Sequence, residues 1–161
     1  MLKRLFPTQF DNRFRGQSAA LWVLGLLIAL TLVVSLNSIF NTAYVAAGAD
    51  GFPLSAYGPA AGRSVLMLFA LDALGQLVLS IISLVALIRY RSMVPLIYLL
   101  VLCQQLGRRF IIQSYAVPRA PTDAVVPYVV YGVIGLLALG LVLSLLRSRE
   151  PNSPAYQPDP V

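Results

Sequence analysis

The sequence predicts an all-α integral membrane protein, a four-helix bundle with both termini on the cytoplasmic side. Three observations carry this: the apolar residues come in uninterrupted blocks, the basic residues gather between particular blocks, and strand-length alternation is absent. A soluble core interleaves apolar and polar positions at the helix or strand period, and this chain does not. Crossing a hydrocarbon layer of about 30 Å takes roughly 20 apolar residues in a helix, because every backbone N–H and C=O must be satisfied within the segment. Residues 19–40, 65–88, 94–113 and 125–146 meet that requirement. Outer-membrane barrel strands would instead alternate over about 10 residues.

Orientation follows from the flanking charge, since Lys and Arg beside a span resist translocation. Lys3, Arg4, Arg13, Arg15, Arg89, Arg91, Arg147 and Arg149 fall on one side; Arg63 and Arg119 fall on the other, with Arg108 and Arg109 partly inside the third span. The first side is the cytoplasmic one.

Residues 1–18 form an interfacial arm, with Leu2, Phe6, Phe10 and Phe14 at four-residue spacing among basic residues. Pro7 stops this arm from being one continuous helix. Ala47-Gly48-Ala49 fits a small-residue cleavage site after an apolar run, but that run of about 20 residues exceeds a typical signal-peptide core, so the first span is expected to be retained. Residues 41–63 make the longest loop, punctuated by Asp50-Gly51, Phe52-Pro53 and Gly58-Pro59, and the orientation puts it outside. Only Arg89-Tyr90-Arg91-Ser92-Met93 joins the second and third spans, which makes them antiparallel neighbours. Pro95 and Pro127 each sit in the first turn of a helix, where a missing N–H does no harm. Gly140 and Ser144, four apart in the last span, permit a close helix approach. Residues 148–161, rich in Pro, cannot form a core and are expected to be a disordered cytoplasmic tail.

Ionisable groups inside a span require a partner or a wet cavity. Asp72, Gln76 and Ser80 recur at i+4 in the second span, with Ser83 near the same line. Gln104, Gln105, Arg108 and Arg109 form a polar arc at matching depth in the third, and Asn37, Ser38 and Asn41 lie near the outer end of the first. Reflecting the hairpin about Arg91 sets Asp72 opposite Arg109 or Phe110, and Gln76 opposite Gln105. An ion pair between Asp72 and Arg108 or Arg109 is therefore expected, with Gln76 and Gln104 or Gln105 completing the hydrogen bonds. Such a cluster either fixes helix register or opens an outward-facing pocket; Asp72, Gln76, Gln104, Gln105, Arg108, Arg109, Asn37 and Asn41 are the candidate binding residues.

Most chemistries are disfavoured by what the chain lacks. It has no histidine, one cysteine (Cys103), and one aspartate inside a predicted span, so neither a serine–histidine arrangement nor an intramembrane aspartate pair is available. No metal or cofactor motif appears. The net charge of +6 flanks the spans rather than forming a solvated patch, which points to anionic lipid headgroups and not to nucleic acid.

Phe10-Asp11-Asn12 with Gly16, Asn37-Ser38-Ile39-Phe40-Asn41, Ala49-Asp50-Gly51 and Arg89-Tyr90-Arg91 together resemble a group of small bacterial four-span inner-membrane proteins of unassigned function. The resemblance covers most of the chain apart from the tail, implies a bacterial inner membrane, and supplies no activity. Eleven arginines against a single lysine fit a GC-rich genome. The leading expectation is a non-enzymatic accessory or interaction subunit, with a membrane-protein partner or a second copy of itself. The rival is a small-ligand or lipid binding or transport component that uses the cluster around Asp72 and Arg108.

Overall fold

On the longest helix of this protein, Pro59–Arg89, large apolar side chains face outward and small or hydroxylated ones face inward, the reverse of a soluble helix packing. The computed structural model describes residues 11–115 and 125–146, and all regular structure among them is helical. The expected tail and the first ten residues, including Leu2, Phe6 and Phe10, lie outside the described residues, as does Arg119. The helices are α1 (Ser18–Phe40), α2 (Thr42–Gly48), α3 (Pro59–Arg89), α4 (Val94–Tyr115) and α5 (Val125–Leu145). All but α2 are long and apolar enough to cross a membrane. On α3 the buried residues are Ala73, Ser80, Ser83 and Ala86, whereas Leu68, Leu71, Val78, Ile82 and Ile88 are exposed. Such a surface is stable only where the solvent is itself apolar.

The small-residue face of α3 lies along α1, whose own buried line includes Ala20, Leu24, Ile28 and Ser35. Ser80 and Ser83 donate to the carbonyls of Gln76 and Leu79 at 2.8 and 2.7 Å, so their hydroxyls are satisfied within α3. The expected polar stripe therefore divides: Gln76, Ser80 and Ser83 line one small cavity against α1, while Asp72 lies outside it.

Seven of the eight span boundaries agree with the sequence to within two residues, and one does not. Helix α3 begins at Pro59, six residues before the expected start, because Pro at the first position is pre-shaped for a helix and Gly58 supplies the extended entry. The expected outer loop thus contains α2, the short 3₁₀ turn Leu54–Ala56 and the first turns of α3. At about 1.5 Å per residue α3 is roughly 46 Å long, well beyond the hydrocarbon thickness.

Near the Arg91–Met93 turn the core tightens around Tyr98, which is fully buried between α1 and α5. Its hydroxyl donates to the Ala20 carbonyl at 2.6 Å, and its ring stands against Gly140, leaving no space for a Cβ there. Glycine at 140 is needed for this approach, with Ser144 one turn on packed beside Gly16. Helices α1 with α3, α1 with α5, and α4 with α5 form the close pairs. Helices α3 and α4 are antiparallel neighbours as expected, but they touch each other much less, and the expected tight hairpin is instead a pair that leaves a cleft toward the α2 end.

Residues 11–17 are tied to this core rather than resting free. The Ser92 N–H and Oγ–H both donate to the Asp11 carbonyl, at 3.3 and 3.0 Å, and the Asp11 N–H donates to Ser92 Oγ at 3.1 Å. The Gln17 N–H donates to the Leu143 carbonyl at 3.2 Å. Ser92→Ala is expected to loosen this docking by about 1 kcal/mol. The check is limited trypsin digestion in detergent, which should cut faster at Arg13 and Arg15 in the variant.

Candidate functional site

Asp72 lies on α3 about 26 Å from Arg89 at about 1.5 Å per residue. In a hydrocarbon layer of about 30 Å, a span entering near Arg89 brings Asp72 close to the opposite headgroup boundary. The backbone at that end is shaped by the segment after α2. The N–H groups of Asp50 and Phe52 donate to the carbonyls of Val45 and Ala46, at 3.3 and 3.0 Å, and Gly51 between them has φ 65°. That left-handed conformation strains any side chain with a Cβ, so glycine makes the reversal that carries Asp50 and Phe52 back over α3.

The Arg108 guanidinium lies between two carboxylates. Its Nη2 is 3.3 Å from Asp72 Oδ2 and 3.8 Å from Asp50 Oδ2, and the side chains of Arg108, Asp72 and Asp50 retain 32%, 48% and 26% of their exposure. Gln76 Nε2 donates to Asp72 Oδ2 at 3.4 Å. The ion pair expected between α3 and α4 is present, made by Arg108. Asp50 was legible in the sequence only as a turn residue; its role depends on the loop's course over α3.

The remaining candidates divide. Arg109 does not reach Asp72; its guanidinium stands over the Tyr131 ring of α5, 5.8 Å from the centroid. Arg109→Ala is therefore expected to cost only about 0.5–1 kcal/mol in thermal unfolding in detergent. Gln104 and Gln105 line the same cavities as Gln76, but no hydrogen bond joins them to Gln76 or Asp72 among the described residues. Asn37 and Asn41 are both exposed, and Asn41 Nδ2 donates to Asn37 Oδ1 at 2.7 Å across the bend from α1 into α2; neither is among the residues lining the two cavities at Arg108. Ser38, one residue on and so about 100° round α1 from Asn37, does line the smaller of them.

Two cavities share the Asp50, Asp72 and Arg108 wall. The larger, about 630 Å³, opens between α3 and α4 and is otherwise nearly all apolar, with Phe52, Val65, Phe69, Cys103 and Ile111 among its walls. The smaller, about 180 Å³, lies on the α1 and α5 side and adds Gln76, Gln105 and Arg109. Phe52 and Phe69 meet edge to face, 6.2 Å between centroids, so the segment after α2 closes over the larger cleft by an aromatic contact as well as by Asp50. A volume of about 630 Å³ lies within the range of small-molecule sites. Apolar walls ending in a charged head suit an amphipathic occupant. No group of three or more His, Cys, Asp or Glu side chains that could hold a metal occurs among the described residues.

Comparison with known protein families, with curated proteins and with solved structures finds no match to this chain.

Proposed function

We propose that this chain is a non-enzymatic protein of a bacterial inner membrane, with both termini cytoplasmic, that takes a lipid from the bilayer into the cleft between α3 and α4. The observation that carries this reading is the coincidence of an apolar, laterally open cleft of about 630 Å³ with a charged head made by Asp50, Asp72 and Arg108. A lipid chain in the cleft stays in an apolar environment, while its head remains near the depth of the headgroups. An accessory subunit of a larger assembly, the leading expectation from the sequence, needs a surface that lipid does not already satisfy. The exposed apolar residues of α1 and α5 are equally suited to lipid and so do not favour it.

Gly107 lines the cleft, and a Cβ there would meet nothing within 4 Å. Gly107→Trp is therefore expected to project an indole into the cleft from a position where its Cβ meets no obstruction. Wild-type protein purified in mild detergent is expected to retain lipid at near-stoichiometric amount by native mass spectrometry, and Gly107→Trp to lose it at unchanged helicity. Equal retention by both proteins would sink the lipid reading; a stoichiometric protein partner in its place would restore the accessory one.

A further inference from the structure

We infer that the cleft selects a phospholipid whose head carries a primary ammonium beside its phosphate, in preference to one that is purely anionic; this rests on the lipid reading above. The sequence alone offered the cluster around Asp72 and Arg108 only as a small-ligand or lipid site, with one carboxylate against the arginine. The structure changes the charge balance at the cleft, because Arg108 faces two carboxylates, not one. Asp50, Asp72 and Arg108, the charged residues that line this cleft, carry a formal net charge of −1. A purely anionic head brought to that wall meets a repulsive site, and a cation meets an attractive one.

Acceptor capacity points the same way. Each ionised carboxylate offers about four lone-pair sites. Asp72 accepts from Gln76 at 3.4 Å, and its approach to Arg108, like that of Asp50, is a single-atom ion pair and not a bidentate fork. Both carboxylates thus keep acceptors for an ammonium that donates three N–H bonds. A trimethylammonium has no N–H to give. Its usual substitute is a cage of several aromatic faces, whereas this cleft is lined by two aromatic side chains, Phe52 and Phe69, that meet edge to face. Arg109, which meets no carboxylate among the described residues, lines the smaller cavity and not this cleft, so it does not offset the two carboxylates there.

The test is competition among lipids of equal chain length. Full-length protein is equilibrated in detergent micelles with equimolar phosphatidylethanolamine, phosphatidylcholine and phosphatidylglycerol, and the retained lipid is identified by native mass spectrometry. Phosphatidylethanolamine is expected to be enriched roughly tenfold over phosphatidylglycerol, the ratio that about 1.4 kcal/mol provides. Asp50→Asn with Asp72→Asn should abolish the enrichment while lipid is still retained. Asp50→Asn alone, on the segment outside the long helices, should reduce it in part. Retained lipid with phosphatidylglycerol or phosphatidylcholine equal to or above phosphatidylethanolamine overturns the head-group inference and leaves the cleft reading standing. Absence of any retained lipid overturns the cleft reading itself.

Discussion

Gly140→Leu is expected to unfold or fail to assemble the protein, with a loss of at least about 3 kcal/mol. The Tyr98 ring occupies the space where a Cβ on residue 140 would stand, so even alanine must displace a fully buried aromatic residue. That residue cannot move freely, because its hydroxyl is held by the Ala20 carbonyl. Displacing it therefore also removes a buried hydrogen bond, worth about 1 kcal/mol on its own, and separates α4 from both α1 and α5. The graded series Gly140→Ala, Gly140→Val, Gly140→Leu should lose stability with side-chain volume, followed by thermal unfolding in detergent. Tyr98→Leu on its own should be destabilising, but combined with Gly140→Ala it should cost less than the sum of the two, since the smaller side chain relieves the clash. Strict additivity would show that the two residues do not share a packing site.

Arg108→Gln is expected to be more harmful than Asp72→Asn, by roughly 1–3 kcal/mol in the same measurement. With a single carboxylate partner, removal of either member would leave one uncompensated charge and the two costs would be similar. Here Asp72→Asn leaves Arg108 paired with Asp50 at 3.8 Å, whereas Arg108→Gln leaves two carboxylates facing each other close to hydrocarbon. Adding Asp50→Asn and Asp72→Asn to Arg108→Gln should recover most of the loss. If Asp72→Asn proves as harmful as Arg108→Gln, Asp50 is not an effective second partner. The partial exposure of all three side chains keeps the expected magnitude below that of a fully buried pair.

How far the sequence could be read depended on whether a feature needed one element or several. The four spans were legible because backbone satisfaction in lipid is a property of each segment alone. The early start of α3 was also legible in principle. The rule applied to Pro95 and Pro127 applies equally to Pro59, but the weakly apolar 60–64 stretch read as loop. Asp72 with Arg108 followed from counting residues either side of a tight turn. That count fixed depth but not azimuth, so it could not choose between Arg108 and Arg109.

By itself, the sequence determined an all-helical chain with four membrane-crossing lengths and an ion pair near one end of the second and third spans. Only the tertiary structure decided that α3 packs on α1 through small residues and leaves a cleft against α4. It also decided that Asp50 returns over α3 as a second carboxylate, that Arg109 goes to Tyr131, and that Asn37 and Asn41 bond to each other. The physical reason is that hydrophobicity along a chain reports length and depth, whereas in a membrane it says little about which face turns inward. Lipid and core are equally apolar there, so the choice falls to the close fit of small residues and to the few charges that must find one another.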